Sequence, residues 1–154
     1  MLKKATKPTL SLVVEILLIA AMFATAVLIV TLYWSVPTFT KHLPGEKDGL
    51  FTAYYVVLSV SGLLGEVILW HARGIMHNVN QNTPFSLDTV RRLNVLGIVC
   101  LLMAAFYLAT VFWINKFYMI IVFAICALAG LLLFVFAALF RQANKYKEEN
   151  DMTI

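Results

Sequence analysis

A chain of 154 residues that is 62% hydrophobic and 13% charged departs from soluble domains, which run near half apolar and about a quarter charged. A domain of this size cannot hide so much apolar surface in its own core, so the solvent around most of it is lipid. The net charge of +4 comes without the large basic patch and stacking aromatics of a nucleic-acid surface, which argues against direct nucleic-acid binding and leaves attraction to anionic headgroups.

Four stretches, approximately 10–34, 51–70, 93–114 and 117–140, reach the roughly 20 apolar residues that a bilayer crossing needs. Strongly polar groups interrupt them only at Glu15, Glu66 and Asn94. The connections are short, so neighbours should be antiparallel. The expected class is all-α: a polytopic four-helix transmembrane bundle forming one membrane domain over residues 1–154.

Lys3, Lys4 and Lys7 ahead of the first span, with Ala24-Thr25-Ala26 inside it, have the outline of a cleaved signal. The apolar run continues to Tyr33, however, whereas a signal core is about 7–15 residues, so the span is read as retained. Ser35–Leu50 reads as an outer loop.

On the second span Tyr55, Ser59, Gly62, Glu66 and Arg73 fall on one stripe, which should look into the bundle. Ser61 and Gly65 add a small-residue pair that would let another helix approach closely. Glu15 and Glu66 lie at similar depth near the same surface. A charge at the bilayer centre costs about 2.5–3.5 kcal/mol on insertion scales, and less near the ends. Adjacent carboxylates also perturb one another. Arg73, Arg92, His71 and Asn94 are available to compensate. Three readings stand: Glu15, Glu66, Arg73, Arg92 and Asn94 form a polar cluster locking the helix ends; the same cluster holds a small ligand, ion or proton; or the glutamates reach water separately. His71 and His77 have poor zinc spacing and read as a solvated loop.

The segment Asn82-Thr83-Pro84-Phe85-Ser86-Leu87-Asp88 marks a helix start. Pro84 biases Thr83 away from helix. Ser86 is a good N-cap. Asp88 suits the positive end of the dipole. Phe85 and Val90 are spaced as a hydrophobic staple. Asp88 can also reach Arg91 or Arg92. Leu87, Val90, Leu93, Asn94 and Gly97 should share one face, with Arg91 and Arg92 opposite. From Leu87 to Ile114 the third helix would run about 42 Å, longer than the ~30 Å hydrocarbon core, so its first turns belong in the interface. Cys100 and Cys126 lie inside spans and read as small packing residues.

The fourth helix should continue past the membrane through Arg141–Glu149, which are mostly good helix formers, and end near Asn150. Asp151-Met152-Thr153-Ile154 then forms a short acidic tail.

The segment Asn78–Gly97 and the tail Lys145–Ile154 together resemble a group of small bacterial four-helix membrane proteins defined only as a domain of unknown function. The matching residues are Asn82-Thr83-Pro84-Phe85-Ser86, Arg92-Leu93 and Glu149-Asn150-Asp151. Thr83 interrupts the group's Asn-Pro step, and Thr89 stands where Asn is expected. The resemblance implies a bacterial inner membrane and a neighbouring gene for a small Cro/CI-type helix-turn-helix regulator. It implies no reaction.

No nucleophile–base pair, phosphate loop or metal cluster stands out, so no enzyme activity, metal or cofactor is expected. The leading functional expectation is an interaction or regulatory component that binds a cytoplasmic regulator or another membrane subunit. Its docking face would use Ser86, Asp88, Arg91, Arg92, Lys145, Lys147, Met152 and Ile154. The alternative is a small transporter or channel component, or a proton or ligand sensor, built on Glu15 and Glu66. Against transport, the chain lacks broken helices and an inverted repeat, although assembly into a homo-oligomer would rescue it.

Nine basic residues (Lys3, Lys4, Lys7, Arg73, Arg91, Arg92, Arg141, Lys145, Lys147) fall on one side and three (Lys41, Lys47, Lys116) on the other. This imbalance predicts both termini inside. Tyr33, Trp34, Tyr54, Tyr55, Trp113 and Tyr118 mark the outer interface and Trp70 the inner one. In a background lacking Cys100 and Cys126, single cysteines at Thr38 and Asn115 should react with an impermeant reagent from outside, and one at Asn82 should not. The reverse labelling pattern would overturn the orientation.

Overall fold

The computed structural model describes residues 9–40, 49–114 and 117–152. They form four helices: α1 (Thr9–Thr40), α2 (Gly49–Asn80), α3 (Leu87–Ile114) and α4 (Phe117–Met152). Each is long and apolar enough to cross a membrane, and the described residues contain no strand. The chain is thus a multi-pass, all-helical membrane protein.

The helices pack in chain order. Among the described residues, Cα atoms come within 8 Å only between α1 and α2, α2 and α3, and α3 and α4. All three pairs are antiparallel. Glu15 meets His77 while Tyr33 meets Tyr55. Arg92 meets Gly74 while Tyr107 meets Ser61. Gly97 meets Gly130, and Ile114 packs with Met119.

α1 is the edge of this row. Leu10, Ile16, Phe23, Leu28, Val30 and Trp34 on it are all exposed, as lipid contact requires. The hydroxyls of Thr25, Thr31 and Ser35 turn back onto their own helix. Thr25 donates to the Ala21 carbonyl at 2.9 Å, Thr31 to Val27 at 3.0 Å and Ser35 to Thr31 at 2.9 Å. Such bonds satisfy a polar group where lipid cannot. α1 also continues through Pro37 to Thr40, so the first part of the expected outer loop is helical. Pro37 falls in the last turn, so the backbone bond that its missing N–H removes, to the Tyr33 carbonyl, lies at the end of the helix. Thr38 donates to the Trp34 carbonyl at 3.1 Å beside it. α2 likewise outruns its expected span, reaching Asn80 rather than stopping at Trp70.

Two small clusters join α2, α3 and α4 near opposite ends of these helices. Ala53, Val57, Ile114 and Met119 are buried together, and Val90, Leu93 and Ala137 form the other cluster with Ile75, Leu133 and Phe140 against it. Between them α3 and α4 cross at two glycines. A Cβ on Gly97 would lie 3.2 Å from the Gly130 carbonyl oxygen and 3.1 Å from the Phe134 ring. A Cβ on Gly130 would lie 3.1 Å from the Gly97 carbonyl oxygen. Close approach through small residues replaces the hydrophobic driving force that lipid removes.

The contact expected at Ser61 and Gly65 is distributed differently. A Cβ on Gly62 would come 2.8 Å from Ile29 of α1, whereas one on Gly65 would meet nothing within 4 Å. Ser61 faces the other way and shares a 2.8 Å hydrogen bond with the Tyr107 hydroxyl of α3. Gly97→Val should therefore lower stability in detergent by about 1–3 kcal/mol, the usual cost of overpacking. Gly65→Ala should raise it by about 0.5–1 kcal/mol, because helical glycine is entropically costly. Thermal unfolding of both variants checks the pair.

Candidate functional site

The polar features converge on the end of the molecule that carries the α2–α3 turn. The sequence Asn78-Val79-Asn80-Gln81-Asn82 closes α2. Asn82 has φ 60°, a left-handed conformation that asparagine tolerates better than most residues. The Asn82 amide bonds to the Val79 carbonyl at 3.1 Å and the Thr83 amide to the Asn78 carbonyl at 3.0 Å. This is the Schellman pattern, which satisfies carbonyls that a helix end would otherwise strand.

Four residues later α3 starts as its sequence predicts. Ser86 Oγ accepts from the Thr89 amide at 3.3 Å and lies 3.0 Å from Thr89 Oγ1. Thr89 is fully buried. Asn78 ties the two ends together: its Nδ2 donates to Asp88 Oδ2 at 2.8 Å and to Thr89 Oγ1 at 3.0 Å. Asp88 Oδ2 also receives Arg92 Nε at 2.7 Å, the pairing one turn apart that the spacing allowed. Phe85 leaves the turn to meet the Phe140 ring of α4 at 5.1 Å between centroids, and Val90 lies in the cluster that Phe140 packs against.

Asn80 points the opposite way, since two residues turn a helix by about 200°. It is buried against α1. Its Oδ1 accepts from the Ser11 hydroxyl, and its Nδ2 donates to Glu15 Oε2. Ser11 and Glu15 are one helical turn apart, so together they present a donor and an acceptor to the two halves of one carboxamide. Glu15 Oε1 also receives His77 Nδ1 at 3.3 Å. Gln81 Nε2 donates to His77 Nε2 at 2.8 Å, which leaves the ring proton on Nδ1, facing the carboxylate.

The five intramembrane candidates are thus not assembled into one cluster. Glu15 joins His77 and Asn80 instead of Glu66. Glu66 Oε2 is buried with no hydrogen-bond partner. Arg92 pairs with Asp88, and its guanidinium lies where a Cβ on Gly74 would fall. It therefore turns toward α2, whereas the helical wheel put it opposite the packed face. Arg73 and Asn94 form no hydrogen bond with the described residues. His71 and His77 are on α2 and not in a loop; His71 Nδ1 lies 2.9 Å from the Val67 carbonyl.

Of the docking candidates, Arg91 is exposed and Leu87, expected on the packed face, is 62% exposed. Lys145 and Lys147 lie on the exposed continuation of α4. Asn144 donates to Glu148 at 2.8 Å there, and Lys145 Nζ stands 3.8 Å from Glu149. The helix includes Met152, past the expected end at Asn150; Ile154 lies outside the described residues. Among the described residues no three potential metal ligands gather.

Sequence reasoning passed over Ser11, Asn78 and Asn80. The available signal was Asn-x-Asn at the end of an apolar helix, which places one amide on each side.

Residues 38–154 match the family described as protein of unknown function (DUF2975). The match takes in α2, α3, α4 and the last turn of α1. No curated protein and no solved structure matches the chain.

Glu15→Leu should destabilise the protein in detergent by about 1–3 kcal/mol, because it strands the buried Asn80 amide. Glu66→Leu should be neutral or stabilising, because it removes a buried oxygen that has no partner. Equal losses of unfolding temperature in the two variants would contradict this arrangement.

Proposed function

We propose that this chain, which belongs to the DUF2975 family of unknown function, is an interaction component of a bacterial inner membrane that docks a small soluble regulator at the end bearing the α2–α3 turn. On this reading that end is cytoplasmic, in keeping with the distribution of basic residues. The supporting observation is the continuation of α4 past Phe140 as an exposed charged helix, beside a turn held to α4 by Phe85. A surface already ordered before binding loses less entropy when a partner docks. Arg91, Lys145 and Lys147 supply positive charge and Glu148 and Glu149 negative charge, which favours a partner of mixed sign. The partner class comes from the resemblance, which implies a helix-turn-helix regulator encoded nearby.

A second reading, an intramembrane proton or ligand sensor, has one observation in its favour: the partnerless Glu66 oxygen. Glu66→Gln would abolish the response on that reading and leave regulator recovery unchanged.

The test is recovery of the neighbouring regulator on the tagged full-length protein from solubilised membranes. A chain ending at Gln142 and the triple variant Arg91→Glu/Lys145→Glu/Lys147→Glu should each weaken recovery at least about tenfold, equivalent to about 1.4 kcal/mol. If both insert normally and recover the regulator as the parent does, the docking reading fails.

A further inference from the structure

We propose that the hollow between α2 and α3, lined by Trp70, Arg73, Gly74, His77 and Arg92, binds the phosphate of a small anion or phosphate ester. Two arginines from different helices line it, and among the described residues no carboxylate does. Arg73 is half-buried and forms no ion pair with the described residues. Glu66, the acid on its own stripe, leaves an oxygen unbonded without turning to it. A guanidinium held partly out of water calls for an anion, and its planar fork of N–H donors matches phosphate oxygens.

Arg92 is placed for the same ligand. Asp88 takes its Nε at 2.7 Å, and that is its one hydrogen bond among the described residues. The terminal nitrogens bond to none of the described residues, and Nη1 lies over Gly74, in space that any side chain would occupy. Asp88 thus aims the group from behind and faces a second hollow, lined with His71, Arg91, Arg92 and Val95. His77 is fixed by Glu15 and Gln81 at the rim, and the 56% exposed Trp70 forms the side nearer the apolar span.

Size and depth narrow the ligand. The hollow is about 200 Å³, below the roughly 300–1,000 Å³ of sites for drug-sized molecules, so it suits a phosphate group and not a whole metabolite. Arg73 lies seven residues before the end of α2, about 10 Å along the axis, which puts the hollow below the turn, near the level of headgroups. Basic pockets between spanning helices at this level take anionic headgroups. A lipid phosphate and a dissolved phosphate share this chemistry, and the experiment separates them.

The full-length protein, purified in mild detergent, is titrated with phosphatidylglycerol, phosphatidylcholine and inorganic phosphate, and binding is read by native mass spectrometry. Phosphatidylglycerol should bind at least about tenfold more tightly than zwitterionic phosphatidylcholine. Arg73→Gln should abolish that preference. Gly74→Val, which displaces the Arg92 guanidinium, should do the same. Arg141→Gln on α4 should leave it unchanged. Arg73→Gln breaks no hydrogen bond or ion pair among the described residues, so it keeps the test decisive where Gly74→Val fails to fold. Inorganic phosphate binding with the same dependence on Arg73 would assign the site to a dissolved anion; binding of phosphatidylglycerol alone would assign it to a headgroup. Parent-like phosphatidylglycerol and phosphate binding by Arg73→Gln, or no anion preference in the parent, would overturn the proposal.

Discussion

Lipid offers no hydrogen bonds, and the ends of the helices carry the consequences. A chain that reverses direction near a bilayer must satisfy its last carbonyls and first amides from within. At residues 78–89 the two tasks are joined. The Asn78 carbonyl closes α2, while its side-chain amide reaches the first turn of α3. Ser86 caps the start of α3, and Asn82 takes the left-handed conformation that makes so tight a reversal available. The registers of α2 against α3, and of Arg92 against Gly74, follow from this one turn.

Asn80 extends the same logic to α1. Because it faces away from Asn78, the end of α2 is bonded on both sides: to α3 through one amide, to Ser11 and Glu15 through the other. Polar bonds of this kind replace the hydrophobic force that joins helices in water. α4 is attached differently, by the glycine crossing at Gly97 and Gly130 and by Phe85 against Phe140. The result is a row of helices in chain order in which, among the described residues, α1 packs against α2 alone and leaves most of its large apolar side chains exposed.

The charges sort by what this scaffold leaves over. Glu15 and Asp88 are consumed in holding helices together. Arg92 is half consumed: its Nε is bonded, and its terminal nitrogens have no partner among the described residues. Arg73 and Glu66, on the stripe that sequence alone would pair, remain apart, so each keeps capacity for something outside the chain.

Much of the fold was legible in the sequence because it rests on local chemistry. Runs of apolar residues longer than a bilayer crossing require spanning helices, and Pro84, Ser86 and Asp88 fix the start of α3 whatever surrounds them. The extensions of α1 past Trp34 and of α2 past Trp70 were less legible, because polarity marks where lipid ends and not where a helix ends. The partners of the polar residues belonged to the tertiary structure. The sequence places Glu15 at the depth of Glu66, with Arg73 in reach, whereas the structure sets it opposite His77 and Asn80, about 16–21 Å along α2 from Glu66. The rotation of α1 against α2, set where Ile29 seats on Gly62 and Asn80 meets Ser11, gave it His77 and Asn80. Arg92 likewise belonged to the solvent face of a helical wheel until the missing side chain of Gly74 gave its guanidinium room against α2.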